Sequence, residues 1–139
     1  MIKRYIKNAI NDVEQLLDIT ILDIQDIQKA NHDNIAKRVN QKNHLAISFE
    51  TNKSLLNDEL SKKVENNEIE EILTSEDKEL LERLKNKLSN LKTKNREYAK
   101  YVVKLNEFYT SLFDEMFKLD REGYQIANAK PATMFTVSA

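Results

Sequence analysis

Residues 84–119 read LKNKLSNLKTKNREYAKYVVKLNEFYTSLFDEMFKL, and their spacing decides the fold. Leu84, Leu88, Leu91, Asn95, Tyr98, Val102, Leu105, Tyr109, Leu112, Met116 and Leu119 follow one another by strict alternation of four and three residues. A period of 3.5 residues keeps one stripe of a helix turned toward a partner helix, so five heptads of it predict a coiled-coil seam. Gly123 stands just past the last of these positions, where a left-handed cap commonly ends a helix. At the other end Thr74 or Ser75 is a suitable cap, and Glu76, Asp77 and Glu79 favour the positive end of the helix dipole. The third helix is therefore expected over 76–122.

The pattern continues upstream. Ile2, Ile6, Ile10, Val13, Leu17, Ile24 and Ile27 recur at steps of three and four, with Thr20 in the one missing slot, which predicts a first helix over 2–30. Leu16, Ile19 and Leu22 widen that stripe, so this helix is expected to touch two neighbours. Asn31-His-Asp-Asn34 breaks the period as a tight hairpin, with Asp33 or Asn34 capping the second helix. That middle helix, over 34–65, places Ile35, Val39, Ala46, Phe49, Leu56 and Leu60 on one face. Lys42 and Lys53 interrupt that face, and long lysine stems can cover apolar surface while their ammonium groups stay wet. Residues 66–75 read as a linker with one helical turn around Ile69 and Leu73. The chain is thus all-α: three long antiparallel helices in an elongated bundle, residues 1–125, the C-terminal helix longest, then a flexible tail over 126–139.

Composition agrees and removes most chemistry. The 139 residues hold one Gly and one Pro, no Cys and two His. Phosphate-binding loops, dinucleotide fingerprints and nucleophile elbows need several glycines at fixed offsets, and thiolate sites need cysteine. No enzyme, metal or cofactor is expected. His32 and His44 have no carboxylate cluster at ligand spacing, and neither has a Glu three residues before it, as a di-metal helical bundle requires. No apolar run approaches the roughly 20 residues of a membrane span, and the basic opening lacks the apolar core of a signal peptide, so a cytoplasmic protein is expected.

Charge cancels globally, 22 basic against 23 acidic side chains, but not locally. Residues 67–82 hold seven acidic and one basic side chain, whereas 83–104 hold eight basic and one acidic. The basic set avoids every seam position, as a solvated face does. Tyr98 and Tyr101 interleave with lysines but lie on or beside the seam, so packing rather than nucleic-acid binding is expected of them. Asn95 is the one polar residue in the seam, where a core Asn commonly fixes register.

Length exposes a mismatch. A third helix of about 47 residues is roughly 70 Å long, against roughly 45 to 50 Å for each of the other two. Starting beside the end of the middle helix and rising back along it, the third helix overshoots the hairpin by roughly 20 Å. Those last turns carry Phe108, Tyr109, Leu112, Phe113, Met116, Phe117 and Leu119 on more than one face. Leaving them wet forgoes on the order of 10 kcal/mol of burial. The same chain bent back, a second copy or another protein is expected to cover them.

The order of parts resembles the FlgN family, the export chaperones of flagellar hook-filament junction proteins. The shared features are an Ile/Leu-rich opening helix broken at Asn31-His-Asp-Asn34 and a middle helix carrying Gln41-Lys42-Asn43-His44-Leu45. After these come an acidic linker and a long last helix with Asn95-Arg-Glu-Tyr98 near its start, before a Gly- and Tyr-containing tail. The resemblance covers residues 1 to about 125 and is one of architecture. It implies a cytoplasmic chaperone that binds the C-terminal segments of hook-associated proteins, prevents their premature assembly and hands them to the flagellar type III export apparatus. It places the client surface on Tyr98, Tyr101, Val102, Leu105, Phe108, Tyr109, Leu112, Phe113, Met116, Phe117 and Leu119. A tail Tyr of the family contacts the export gate, and Tyr124 is its nearest counterpart, although here Gly123 precedes it where many members have a glycine after it. The alternative is a structural coiled-coil protein that self-associates or scaffolds through its third helix, as a homodimer for instance.

Overall fold

A computed structural model describes residues 1–66 and 73–119. The side chains of Phe117 and Leu119 lie outside that description, as do the expected turn at Ile69, the end of the third helix near 122, Tyr124 and the tail. The described chain forms α1 (Ile2–Gln28), α2 (His32–Glu65) and α3 (Ser75–Leu119), with no strand among the described residues. The fold is all-α, as the periodicity requires.

Capping details set where the helices end. Asn31 N–H donates to the Asp26 carbonyl at 2.8 Å and Ala30 N–H to that of Ile27 at 3.3 Å. This pair of bonds is the Schellman arrangement, which satisfies carbonyls that the helix end leaves open. It needs a left-handed residue, and Ala30 supplies it with φ 59°. Because the reversal is complete by Asn31, α2 begins at His32 with Asn31 in the cap position, two to three residues before the expected Asp33 or Asn34, and Asp33 falls in its first turn. At the start of α3, Asp77 N–H donates to Thr74 Oγ1 at 3.1 Å and Thr74 N–H donates to Asp77 Oδ2 at 3.2 Å. That reciprocal box satisfies two donors at the helix start, so α3 starts at Ser75.

α1 is the central element. Twelve of its residues are buried, against two of α2, Ile35 and Leu56. It packs along both neighbours, while α2 and α3 meet each other only marginally. The expectation that the third helix rises along the second is therefore corrected: α3 runs parallel to α1. Lys3 pairs with Glu76 at 2.6 Å, Glu14 with Arg83 at 3.3 Å and Lys87 at 3.9 Å, and Gln28 Nε2 donates to Tyr101 Oη at 2.5 Å. The physical reason is the wide apolar stripe of α1, whose two flanks can each bury a partner, whereas α2 has only a thin stripe to offer.

Two apolar clusters result. One joins Ile2, Ile6, Ala9, Ile10, Val13 and Leu16 to Leu56, Leu84 and Leu91; the other joins Ile24, Ile27 and Ile35 to Tyr98 and Val102. Between them lies one polar layer. Thr20 is fully buried, and its Oγ1 donates to the Leu16 carbonyl at 2.8 Å and lies 3.3 Å from Asn95 Oδ1. The one polar slot in the α1 stripe thus faces the one polar position in the α3 seam. A slip of either helix would bury both groups against aliphatic side chains, which is how such a pair holds register. Asp12 plays the same part toward α2, accepting from Ser48 Oγ at 2.7 Å and Asn52 Nδ2 at 3.2 Å.

Candidate partner-binding surface

The end of the molecule beside the hairpin divides the expected surface residues into two sets. Tyr98 and Val102 are buried, and Tyr101 and Leu105 pack half-buried against the same cluster. The expectation that Tyr98 and Val102 present themselves to a partner is corrected, because α1 and the start of α2 already cover that part of the seam.

Beneath Tyr98 lies an ionic cluster that periodicity did not reveal. Asp23, almost fully buried, accepts from Arg38 Nη1 at 2.7 Å and from Lys42 Nζ at 3.2 Å. Arg38 also pairs with Asp26, and that hydrogen bond holds the Asp26 carboxyl below its ordinary range. Lys42 Nζ stands 4.9 Å from the centre of the Tyr98 ring, within cation–π range. The Lys42 ammonium is therefore paired rather than wet, which corrects the expectation for that residue; Lys53 stays exposed beside Glu50. Burial, reinforced by the Asp23 carboxylate and opposed by Arg38, pushes the Tyr98 phenol up to about 12. The cluster ties the hairpin to α3, and its groups are occupied with one another.

Past Leu105, α3 leaves the bundle. α1 ends at Gln28, level with Tyr101, and α3 continues to Leu119. Residues 106–119 project by about 20 Å at 1.5 Å per residue. On this projection Phe108 is 61% exposed, Met116 46% and Leu112 42%, while Tyr109 and Phe113 are half-buried. The Phe108 and Tyr109 rings meet edge to face, with centroids 5.9 Å apart. The backbone of Phe117 and Leu119 continues the helix. The overshoot read from helix lengths is present, and it carries the aromatic set.

A second apolar feature was missed by sequence reasoning. Because α2 and α3 splay apart over α1, a groove of about 630 Å³ opens between them. Val13 and Leu16 of α1 contribute to its lining together with Ala46 and Phe49 of α2 and Leu88, Leu91 and Ala99 of α3; Glu50, Lys92 and Arg96 add charge. The available signal was the pair of small residues Ala46 and Ala99 on two faces that otherwise carry large side chains.

Among the described residues no group of three His, Cys, Asp or Glu side chains could hold a metal ion, and no helix is long and apolar enough to cross a membrane. No protein-family model, no curated protein and no solved structure matches the chain.

Proposed function

We propose that this chain is a non-enzymatic cytoplasmic chaperone whose projecting α3 segment binds a helix of another protein. The observation that carries the reading is the run Phe108, Leu112 and Met116, exposed on a helix that continues well beyond its own bundle. Ordering such a segment costs about 1–2 kcal/mol per residue in backbone entropy, which an uncovered single helix does not recover. Docking an amphipathic client helix along it buries the aromatic set and supplies the missing packing.

The class of client comes from the resemblance to the FlgN family: the C-terminal helical regions of flagellar hook-associated proteins. These are held from premature assembly and delivered to the flagellar type III export apparatus, with Tyr124 as the export-gate contact. The client surface is Phe108, Tyr109, Leu112, Phe113 and Met116, continued by Phe117 and Leu119.

Co-purification with secreted flagellar subunits tests this. F113A together with M116A removes two large apolar contacts and should weaken a real complex by about a hundredfold. Amide exchange over 106–119 should slow when the client is added. A complex that survives the double substitution, or unchanged exchange in that segment, overturns the reading.

A further inference from the structure

Two apolar features of this chain stand uncovered: the groove between α2 and α3, and the projecting end of the same α3. α3 is one continuous helix, so its end cannot fold back into its own groove. The end and the groove of two separate copies are nevertheless complementary. Arg83, Lys87 and Lys94 of α3 have acidic partners, but Lys92 and Arg96 beside the groove form no ion pair among the described residues. The projecting end carries exposed Glu107, Asp114 and Glu115. Length matches as well: the α3 lining spans 88–99, about 16 Å, and the projection spans about 20 Å.

Symmetry gives the third match. Laying 106–119 antiparallel over 88–99 of another copy places the midpoint of the two α3 helices at residue 103. Val103 is an exposed apolar residue there, 49% accessible, and Asn106, Thr110 and Ser111 beside it are small enough for close helix approach. We infer that the chain forms a two-fold dimer with Val103 at the axis, each copy laying its α3 end in the α2–α3 groove of the other. One contact, made twice, fills both grooves and neutralises Lys92 and Arg96 with Asp114 and Glu107, while Phe108, Leu112 and Met116, on the opposite side of α3 from Val103, stay outside it. Such an isologous contact closes on itself and does not propagate. The dimer depends on the groove and the helix end, not on any client.

The test is charge exchange in the full chain. Sedimentation velocity or native mass spectrometry at tens of micromolar should find a dimer. K92E with R96E, and separately E107K with D114K, should each raise the dimer dissociation constant by roughly a hundredfold, since like charges then face each other. All four positions are exposed, so both variants should keep their circular dichroism spectra. Mixed in equal amounts, the two variants should recombine into a heterodimer of wild-type strength, because each groove again meets opposite charge. A monomeric wild type overturns the dimer, whether its groove is open or filled by its own residues 120–139. So does a dimer that both reversals leave intact, or a pair of variants that fails to recombine. None of these results touches client co-purification, which stands or falls separately.

Discussion

Asp23→Ala should be among the most damaging single substitutions in this protein. The Asp23 side chain is 3% exposed and accepts one bond from Arg38 and one from Lys42, whose own side chains are 19% and 14% exposed. Removing one member of a buried pair leaves the other charge uncompensated, at a cost of about 3–5 kcal/mol. The lower end applies here: Arg38 keeps Asp26, and the Lys42 stem is long enough to swing its ammonium toward water. A loss of about 3 kcal/mol is a large share of a stability of about 5–15 kcal/mol. It corresponds to a drop of roughly 10 °C in Tm for a chain of this size. Urea unfolding followed by far-ultraviolet circular dichroism measures it. A second substitution sharpens the case, because K42M in the D23A background removes the stranded charge and should recover about 1–2 kcal/mol. If D23A cost less than about 1 kcal/mol, or if K42M added its own loss instead of relieving the first, the buried-pair reasoning would be wrong.

Three further outcomes are expected. A30G should raise stability by roughly 0.5–1 kcal/mol in the same unfolding assay, since glycine removes the left-handed strain at φ 59° at a smaller entropic cost in the unfolded chain. T74A should lower it by about 1 kcal/mol by deleting the hydroxyl that accepts from Asp77 N–H. Tyr98 has a folded pKa raised from 10.0 to about 12, so the stability it contributes is complete below pH 10 and is lost as the pH rises toward 12. Y98F should remove about 2 kcal/mol of that alkaline loss, read as the difference between the two proteins' stability profiles across this window.

Periodicity reports which face of a helix is buried but not which neighbour buries it, and that separates what was legible from what was not. The α3 seam, the all-α class and the projecting end could be read from spacing and length alone. Thr20 and Asn95 were each visible as an interruption, yet their meeting joins residues 75 apart, and no local pattern encodes it. The same holds for Asp23 with Lys42, 19 residues apart across a hairpin. The α2 face was over-read: Val39, placed on its apolar stripe, is 46% exposed, because α2 leans mainly on α1 and meets α3 only marginally. The groove exists for that same reason, so the feature that sequence missed and the helix that it over-read are one fact. Lengths predicted where α3 leaves the bundle, but not that Tyr98 and Val102 fall before that point and are buried there.

The central place of α1 also bears on how this chain can change over time. Its alignment with α3 is fixed by Lys3–Glu76, Glu14–Arg83, Thr20–Asn95 and Gln28–Tyr101, none of which involves the connection between Asn66 and Thr74. The closure entropy of a flexible connection rises by only about 0.6 kcal/mol for each doubling of its length. Insertions there leave those four pairings in place, whereas a single residue gained or lost inside α1 turns the pairings on one side of it by about 100° relative to those on the other. Relatives of this protein should therefore vary freely in length at one place and hardly at all in their first 28 residues.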